Sequence, residues 1–307
     1  MKAHWLDFGL FQETNKNWST ELCRSLQRLF FLDGPAKMIT ASESAQREVH
    51  LPGGCLMVAK GNHAGRIFKQ HYDRLGRFCY AAMHGKDGGG IILINLYRIT
   101  QNKGVKAGIK TSYMRQRNTL RMSGDHNPDP KNQVLADVTD IIQEWSQRGF
   151  HPIVAGDFTS EPSDPPMVQF IERNELIDLV ADSNDDVFQL TCNRGSKRID
   201  LILGDAFIRK AVIKSRSLEE NNGFFSEHTM QWVDLSTKDL FKSKRELPSA
   251  LNTRDFVLTN AKKKHAFQDK FDKLNAYHKV EAKKKKLRLI LRASAKMNRM
   301  GTRENAL

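Results

Sequence analysis

The chain has 307 residues, enough for one large domain or for one domain with an appendage. Its 49 Lys and Arg outnumber its 35 Asp and Glu, and the formal net charge of +14 favours an anionic partner. The four cysteines are widely spaced, which argues against a disulfide framework or a zinc site and indicates a reducing compartment. We find no run apolar enough for a membrane span or a signal peptide, and therefore expect an intracellular protein of the nucleus or cytoplasm.

The positive charge is concentrated at the C-terminal end. Residues 242–307 hold 19 Lys and Arg against 6 Asp and Glu, a net charge of +13, whereas residues 1–241 have a net charge of +1. We therefore divide the chain into a nearly neutral body, residues 1–241, and a basic tail, residues 242–307. A tail of this sign suits nucleic acid, with DNA first, and an anionic membrane surface second.

The first half of the body is predicted to contain mostly strands. Residues 5–12 form a short apolar strand that ends before Glu13, and residues 15–31 have helical spacing. Three more strands are predicted: residues 53–59, 78–83 and 91–99. The turn signal Asp87-Gly-Gly-Gly90 joins the last two into a hairpin. Residues 61–65 are interpreted as a turn region, and residues 101–128 have no assignable pattern.

The second half alternates helices with strands. Asp129-Pro130 opens a helix, with a capping residue before proline at its first position, and Gly149 ends it. A strand at residues 151–155 then runs into Gly156-Asp157. One more helix and two more strands are predicted: residues 166–175, 198–203 and 230–235. Strands outnumber helices and the helices lie between strands, which favours an α/β sandwich of layers over a doubly wound open sheet.

The basic tail is predicted to form one or two amphipathic helices. Its apolar residues recur at helical spacing, as at Phe267, Phe271 and Leu274. Such helices could bind DNA, an anionic lipid surface or a partner protein, or could present only a solvated face. The residues that we assign to nucleic-acid binding are Lys283, Lys284, Lys285, Lys286 and Arg288.

Two carboxylates follow predicted strands. Glu13 lies in Gln12-Glu13-Thr14, and Asp157 lies in Gly156-Asp157-Phe158-Thr159. Gly156 is expected to let the backbone turn tightly, so that Asp157 projects from the strand end. Each has a simpler interpretation: a solvated strand-end carboxylate for Glu13, and a turn or capping aspartate for Asp157. If the carboxylates converge, they suit a hard divalent cation such as Mg²⁺.

Two further motifs lie late in the body. Asp200 lies inside the apolar strand Arg198–Leu203, where a charge is costly unless it is paired. It forms either a structural ion pair with Arg198 or a neighbour, or a contact that orients His228 of Ser226-Glu227-His228, as a carboxylate fixes a catalytic imidazole. Taken alone, His228 is more often a surface or core residue. A cation, a carboxylate that orients water and a histidine near the phosphate are the parts needed to hydrolyse a phosphate ester.

A fifth motif is Asn95-x-Tyr97 on the predicted strand 91–99. The two side chains alternate with their neighbours and therefore point to one face. The Tyr97 hydroxyl either donates to a phosphate oxygen or is satisfied within the core.

Together, the order Gln-Glu-Thr, Asn-x-Tyr, Gly-Asp-Phe-x, Arg-Ile-Asp and Ser-x-His resembles the endonuclease/exonuclease/phosphatase superfamily from about residue 5 to residue 235. The resemblance implies a four-layer sandwich of two mixed β-sheets flanked by helices, and Mg²⁺ or Mn²⁺ as the cofactor. It implies Glu13 and Glu227 at the metal, Asp157 holding or activating the attacking water, and Asp200 orienting His228. His228 and Tyr97 would contact the phosphate. Asn95 and Thr159 are assigned to the same phosphate site.

The subgroup that the chain resembles is the abasic-site and retrotransposon type. That type has a tyrosine at the position of Tyr97, where the deoxyribonuclease and sphingomyelinase types have a histidine. The helix ending at Trp145 and the final Trp232-Val-Asp-Leu resemble retroelement endonuclease domains. The resemblance therefore implies a metal-dependent DNA endonuclease of retroelement origin.

Three departures from the family pattern imply a weakened or inactive enzyme, or a fragment of a longer reading frame. The family's first strand should precede Gln12 by some tens of residues, and there is too little chain for it. Thr159 stands where the family has asparagine, and Glu227 where it has aspartate. A carboxylate displaced by roughly an ångström can cost about a hundredfold in rate. The alternatives are therefore a catalytically decayed nucleic-acid-binding protein and a phosphatase acting on a phosphoinositide-like substrate.

Overall fold

The structure is a computed structural model. It describes residues 6–18, 25–26, 29–30, 35–43, 51–85, 89–101, 111–181, 190–192, 197–218, 226–241, 265, 268–270, 272–273 and 276. Two compact units divide the chain: Met1–Leu251 and Asn252–Leu307. The described residues of the second unit are helical. The tail residues Lys283, Lys284, Lys285, Lys286 and Arg288, predicted to bind nucleic acid, lie outside the described residues.

Strands and short helices alternate along the first unit. Its strands are β1 (Phe8–Gln12), β2 (Ala36–Ala41), β3 (Cys55–Lys60), β4 (Ile67–Tyr72), β5 (Phe78–His84), β6 (Gly90–Tyr97), β7 (Phe150–Asp157), β8 (Ile177–Asp178), β9 (Asp200–Gly204), β10 (Val212–Ser217) and β11 (Gln231–Leu235). Its helices are α1 (Gly61–Arg66), α2 (Ser112–Met122), α3 (Pro130–Ser146), α4 (Pro165–Arg173), α5 (Ala206–Lys210) and α6 (Thr237–Leu240). Within the described ranges, no helix combines the length and apolar character needed to cross a membrane.

The centre of the first unit is a mixed sheet with strand order β4-β5-β6-β7-β9-β8. The pair β6–β7 is parallel, and the other pairs are antiparallel. All eight residues of β6 are buried, as a continuous apolar run on a strand covered on both faces requires. The predicted hairpin is confirmed, with Phe78 opposite Leu96 and His84 opposite Gly90.

Other elements cover both faces of this sheet. On one face lie two small antiparallel sheets, β1-β3-β2 and β10-β11, whose apolar side chains share one core with β5 and β6. On the other face α3 and α4 pack, and residues such as Val138, Trp145 and Phe170 form a second core. The predicted α/β sandwich with flanking helices is confirmed. Within the described residues, β1 has β3 as its one strand neighbour, and β11 has β10.

Four parts of the sequence interpretation need correction. Residues 61–65 were predicted as a turn, but they belong to helix α1. The prediction was wrong because Gly61 and Gly65 are residues typical of turns. Strands β2, β4, β8 and β10 were not predicted, and β4 has a polar, exposed sequence typical of a sheet edge. The unassigned segment 101–128 contains α2, which begins where the Thr111 side chain accepts a hydrogen bond from the Met114 N–H.

The fourth correction concerns Gly156, which lies inside β7 and not in a turn. A Cβ on Gly156 would lie 1.8 Å from the Leu96 carbonyl oxygen of β6. The glycine is therefore needed for the close approach of two buried backbones, and the strand continues through Asp157.

Candidate active site

Three of the candidate side chains lie in a row across the central sheet. Tyr97 ends β6 and pairs with Asp157 at the end of β7, and Asp157 pairs with Asp200 at the start of β9. Glu13 follows β1, which packs across β6 and β7. His228 precedes β11, which packs on β9. These elements enclose a cleft of about 310 Å³ lined by Glu13, Tyr97, Thr100, Asp157, Thr159, Cys192, Lys197, Ile199 and His228.

His228 and Asp200 form a hydrogen-bonded pair at this cleft. His228 Nδ1 lies 2.9 Å from Asp200 Oδ2, so the contact with Asp200 does not use the other ring nitrogen, Nε2. The bond to Asp200 raises the pKa of His228 to about 9, although partial burial opposes the rise. Arg198 instead forms an ion pair with Asp178, with Nη2 2.8 Å from Oδ1. The interpretation of Asp200 as the ion-pair partner of Arg198 therefore does not apply.

A buried threonine that the sequence analysis missed holds this pair in place. The Thr191 hydroxyl accepts the backbone N–H groups of Ile199 and Asp200, each at 3.0 Å. The Thr191 carbonyl accepts the Thr229 N–H at 2.8 Å. Thr191 thus ties the start of β9 to the segment that carries His228. No sequence signal marks it, because its role depends on contacts between segments far apart in the chain.

Asp157 is only 5% exposed, and its carboxyl faces other acidic groups. Burial raises the pKa of Asp157 to about 7, the negative charge of Asp200 adds to the rise, and the Thr159 N–H and His228 oppose it. Asp157, Asp200 and His228 each offer a ligand atom within 4.8 Å of the others. The cleft therefore concentrates acid–base groups where a buried charge is costly without a partner.

Glu13 contacts Tyr97 across the cleft. The Tyr97 hydroxyl is hydrogen-bonded to Glu13, and burial followed by the charge of Glu13 raises the pKa of Tyr97. Tyr97 therefore stays protonated and acts as a donor. Glu13 has a φ of 48°, a left-handed conformation that costs a non-glycine residue free energy. The conformation persists because the next residues, Thr14 and Asn15, bond through their backbone N–H groups to the carbonyls of Gly54 and Gly53.

Solved structures share this arrangement of strands. The chain aligns with a 3′ phosphatase from Neisseria bound to a product DNA hairpin at 15% identity, with a TM-score of 0.52 over 75% of this chain and 89% of that one. It aligns with the Xenopus laevis APE2 catalytic domain at 14% identity, with a TM-score of 0.52 over 79% and 89%. An AP endonuclease from Archaeoglobus fulgidus aligns at 12% identity, with a TM-score of 0.51 over 75% and 88%.

This chain has the endonuclease/exonuclease/phosphatase fold. The similarity is one of backbone architecture. No family model matches the chain, and no curated protein matches its sequence.

Three of the residues selected by sequence do not line the cleft of this endonuclease/exonuclease/phosphatase fold: Asp200, which acts on it through His228, and Asn95 and Glu227. Asn95 is fully buried between the sheets, where its amide donates to the carbonyls of Phe11 and Leu56 and accepts from Gln12. It ties β6 to β1 and β3 and is not placed to contact a phosphate. Glu227 is exposed at a bend in the chain, whereas the next residue, His228, lines the cleft.

Lys197 lines the cleft although no motif singled it out. Its ammonium lies 3.5 Å from Glu161 Oε2, and the side chain is 57% exposed. A cation at this position suits a phosphate oxygen. Its place directly before Arg198-Ile199-Asp200 is the one sequence signal that could have identified it.

The donor set of the cleft fits a hard divalent cation. Glu13, Asp157 and Asp200 offer carboxylate oxygens, which Mg²⁺ and Mn²⁺ both prefer. The acidic neighbours that raise the pKa of Asp157 show an excess of negative charge that a cation would neutralise. Glu13 would hold this cation at the cleft that it lines with Asp157.

Thr159 carries backbone strain that asparagine at the same position would reduce. It has a φ of 48°, which a β-branched residue adopts at a cost and which asparagine tolerates better. Its N–H donates to Asp157 Oδ1 at 2.8 Å, and its hydroxyl lies 3.4 Å from the Ile99 carbonyl oxygen. The hydroxyl is therefore directed inward, away from a bound phosphate.

We expect Thr159→Asn to raise both activity and stability. The asparagine relieves the left-handed strain, so the melting temperature should rise. Its amide can also present a donor to the phosphate, so the rate of hydrolysis should rise roughly tenfold. Hydrolysis rates and thermal melts of the two proteins test this. Thr159→Ser is the control, because it keeps the hydroxyl without β-branching; equal rates for all three proteins would contradict the prediction.

Proposed function

We propose that this protein is a divalent-cation-dependent hydrolase that cuts phosphodiester bonds within DNA. The observation that carries the proposal is the convergence of Glu13, Asp157 and the Asp200–His228 pair at one cleft, where ligand atoms of Asp157, Asp200 and His228 lie within 4.8 Å of one another. A carboxylate and an imidazole this close together fit the roles of base and acid.

The roles follow from the geometry. At neutral pH, His228 is protonated and fixed by Asp200, so it donates to an oxygen of the scissile phosphate. Asp157 lies at the cleft within 4.8 Å of His228, which suits a base that takes a proton from the attacking water. Tyr97 donates a further hydrogen bond, and Lys197 lies at the same cleft. When bound, a divalent cation supplies charge neutralisation to the phosphate.

DNA is the proposed substrate for two reasons. The Neisseria 3′ phosphatase of the same fold is bound to a DNA hairpin. The chain also carries a net +13 over residues 242–307, a charge that favours polyanions. The retroelement origin rests on the sequence resemblance alone and stays a prediction, as does binding to an anionic membrane surface.

Nicking of supercoiled plasmid tests the proposal. We expect Mg²⁺ or Mn²⁺ to support conversion to the nicked form, chelator to abolish it, and Asp157→Ala to lower it by orders of magnitude. Equal nicking in chelator, or by the variant, would overturn the proposal. Retained DNA binding without nicking would favour the decayed nucleic-acid-binding protein instead. Release of phosphate from a phosphoinositide, with plasmid left intact, would favour the phosphatase.

The tail is proposed to supply DNA affinity through phosphate contacts. Truncation after Phe241 should weaken DNA binding at low salt by at least tenfold and reduce the slope of log affinity against log salt, because counterion release drives such binding. Binding isotherms at several salt concentrations measure both. The fourfold variant Lys283→Gln, Lys284→Gln, Lys285→Gln and Lys286→Gln should lower the slope by about 4 without shortening the chain. Unchanged low-salt affinity after truncation would leave the tail as a solvated helix.

A further inference from the structure

A second cavity of about 320 Å³ lies beside the hydrolytic cleft. Strands β2 and β4 form its walls, and the segment after Glu13 closes one side. The residues that define its chemistry are Trp18, Tyr72, Asn17, Gln70, Ser42 and Glu43. The volume is at the small end of the range for ligand pockets. Neither the sequence motifs nor the proposed hydrolysis uses these residues.

The turn Gly53–Gly54 lies between a residue of the cleft and a residue of the groove. On the cleft side, a Cβ on Gly53 would lie 3.3 Å from the Tyr97 ring. On the groove side, a Cβ on Gly54 would lie 2.9 Å from Thr14 Oγ1 and 3.9 Å from Trp18 Nε1. Two adjacent residues thus separate Tyr97 of the cleft from Trp18 of the groove, a separation that one polymeric ligand can span.

The Trp18 ring is held in place before any ligand arrives. Its Nε1 donates to Thr14 Oγ1 at 3.0 Å, and its backbone N–H donates to Ser42 Oγ at 3.3 Å. On the opposite wall, Tyr72 is 54% exposed at the end of β4, and Gln70 lies two residues earlier on the same side of the strand. A fixed ring on one wall and an exposed ring on the other form a preorganised stacking surface.

The groove is polar but nearly neutral. Glu43 is its one charged side chain among the described lining residues, and Arg115 Nη1 lies 3.6 Å from Glu43 Oε2. With neither lysine nor arginine in that described lining, the groove does not suit a phosphate, whereas Lys197 and His228 in the neighbouring cleft do. Aromatic faces with side-chain amides at their edge suit a planar, uncharged, hydrogen-bonding heterocycle.

We propose that this groove holds a nucleobase of the substrate strand while the adjoining phosphate lies in the cleft. The inference rests on the proposed function and extends it, because it makes the protein a reader of exposed bases as well as a hydrolase of the backbone. A base can enter the groove only when it is unstacked, so single-stranded or locally opened DNA is the preferred ligand.

Binding in chelator tests the groove independently of hydrolysis. The probes are a single-stranded oligonucleotide of eight thymidines and an eight-unit abasic oligonucleotide of the same charge. We expect the thymidine probe to bind roughly tenfold more tightly and to quench Trp18 fluorescence. Tyr72→Ala should remove most of this difference, and Trp18→Phe should remove most of the quenching. Ile213→Ala, at an exposed position on β10 and outside the groove lining, should leave both unchanged.

The outcomes separate the two proposals. Equal affinity for the two probes, or equal effects of Tyr72→Ala and Ile213→Ala, would overturn the groove assignment even if plasmid nicking succeeds. Base-dependent binding without any nicking would support the groove and overturn the hydrolase. A Gln70→Ala variant guards against misfolding of the Tyr72 variant, because Gln70 is exposed; it should lower base-dependent affinity with an unchanged thermal melt.

Discussion

His228→Ala should lower the rate of phosphodiester hydrolysis by about 10³-fold, with a smaller effect on KM. The imidazole is fixed by Asp200 at 2.9 Å and is protonated at neutral pH, so its loss removes a positioned donor from the transition state. Steady-state kinetics on a fluorescent DNA duplex with saturating Mg²⁺ measure both parameters.

The chain offers a matched control for this variant. His151 also bonds through Nδ1 to a carboxylate, Asp205 Oδ2 at 2.6 Å, and it stacks on Phe207 away from the cleft. His151→Ala therefore removes a similar histidine–aspartate pair without touching the site, and its kcat should stay within about twofold of wild type. Equal losses of kcat in the two variants would show that His228 acts through general stability and not through catalysis.

Asp157→Asn should abolish hydrolysis and yet stabilise the cation-free protein at pH 8. The native pKa of Asp157 is about 7 against an ordinary 3.8, so the native state favours the protonated form. Stability is therefore lost as pH rises from about 4 to 7, where the unfolded chain has already released its proton. A neutral amide avoids this cost, which we place on the order of 1–3 kcal/mol.

Thermal melts in chelator across pH 4 to 9 measure this effect. For a unit of this size, each 1 kcal/mol corresponds to about 2–4 °C, so a gain of roughly 5 °C is expected at pH 8 and little gain at pH 4. The native pKa of His228 is about 9 against 6.5, so its stabilising contribution is complete below pH 6.5 and is lost as pH rises through 9 in both proteins. Asp234→Asn, at an exposed position on β11, is the control. A melting temperature for Asp157→Asn that is equal to or below wild type at pH 8 would contradict the burial argument.

The strongest sequence predictions came from strictly local physics. The helix α3 was identified from Asp129-Pro130 and its 3.6-residue apolar period, and the Asp129 carboxylate does cap it by accepting the Lys131 N–H. The strand β6 was identified because a turn signal precedes a continuous apolar run, and it is buried along its whole length. The helix cap, the apolar period and the turn each involve residues close together in the sequence. They can therefore be recognised without knowledge of the rest of the fold.

Local patterns failed where a neighbour in space decides the role of a residue. The strand β4 shows no apolar period because it forms an edge, and only its pairing with β5 defines it. Asn95 looked like a phosphate contact because it alternates with Tyr97, but β1 and β3 take up its hydrogen bonds. Glu227 was selected by its place beside His228, but it is exposed to solvent at a bend in the chain.

The sequence by itself determined the order of the motifs, the α/β layering and the acidic, histidine and tyrosine residues of the candidate site. Those properties depend on short stretches of chain, in which strand ends and carboxylates are adjacent. Only the tertiary structure decided that Asp200 pairs with His228 and not with Arg198, that Thr191 holds both segments, and that Trp18 and Tyr72 face one groove. Each of these depends on the distance between segments far apart in sequence, which packing sets and local propensity does not encode.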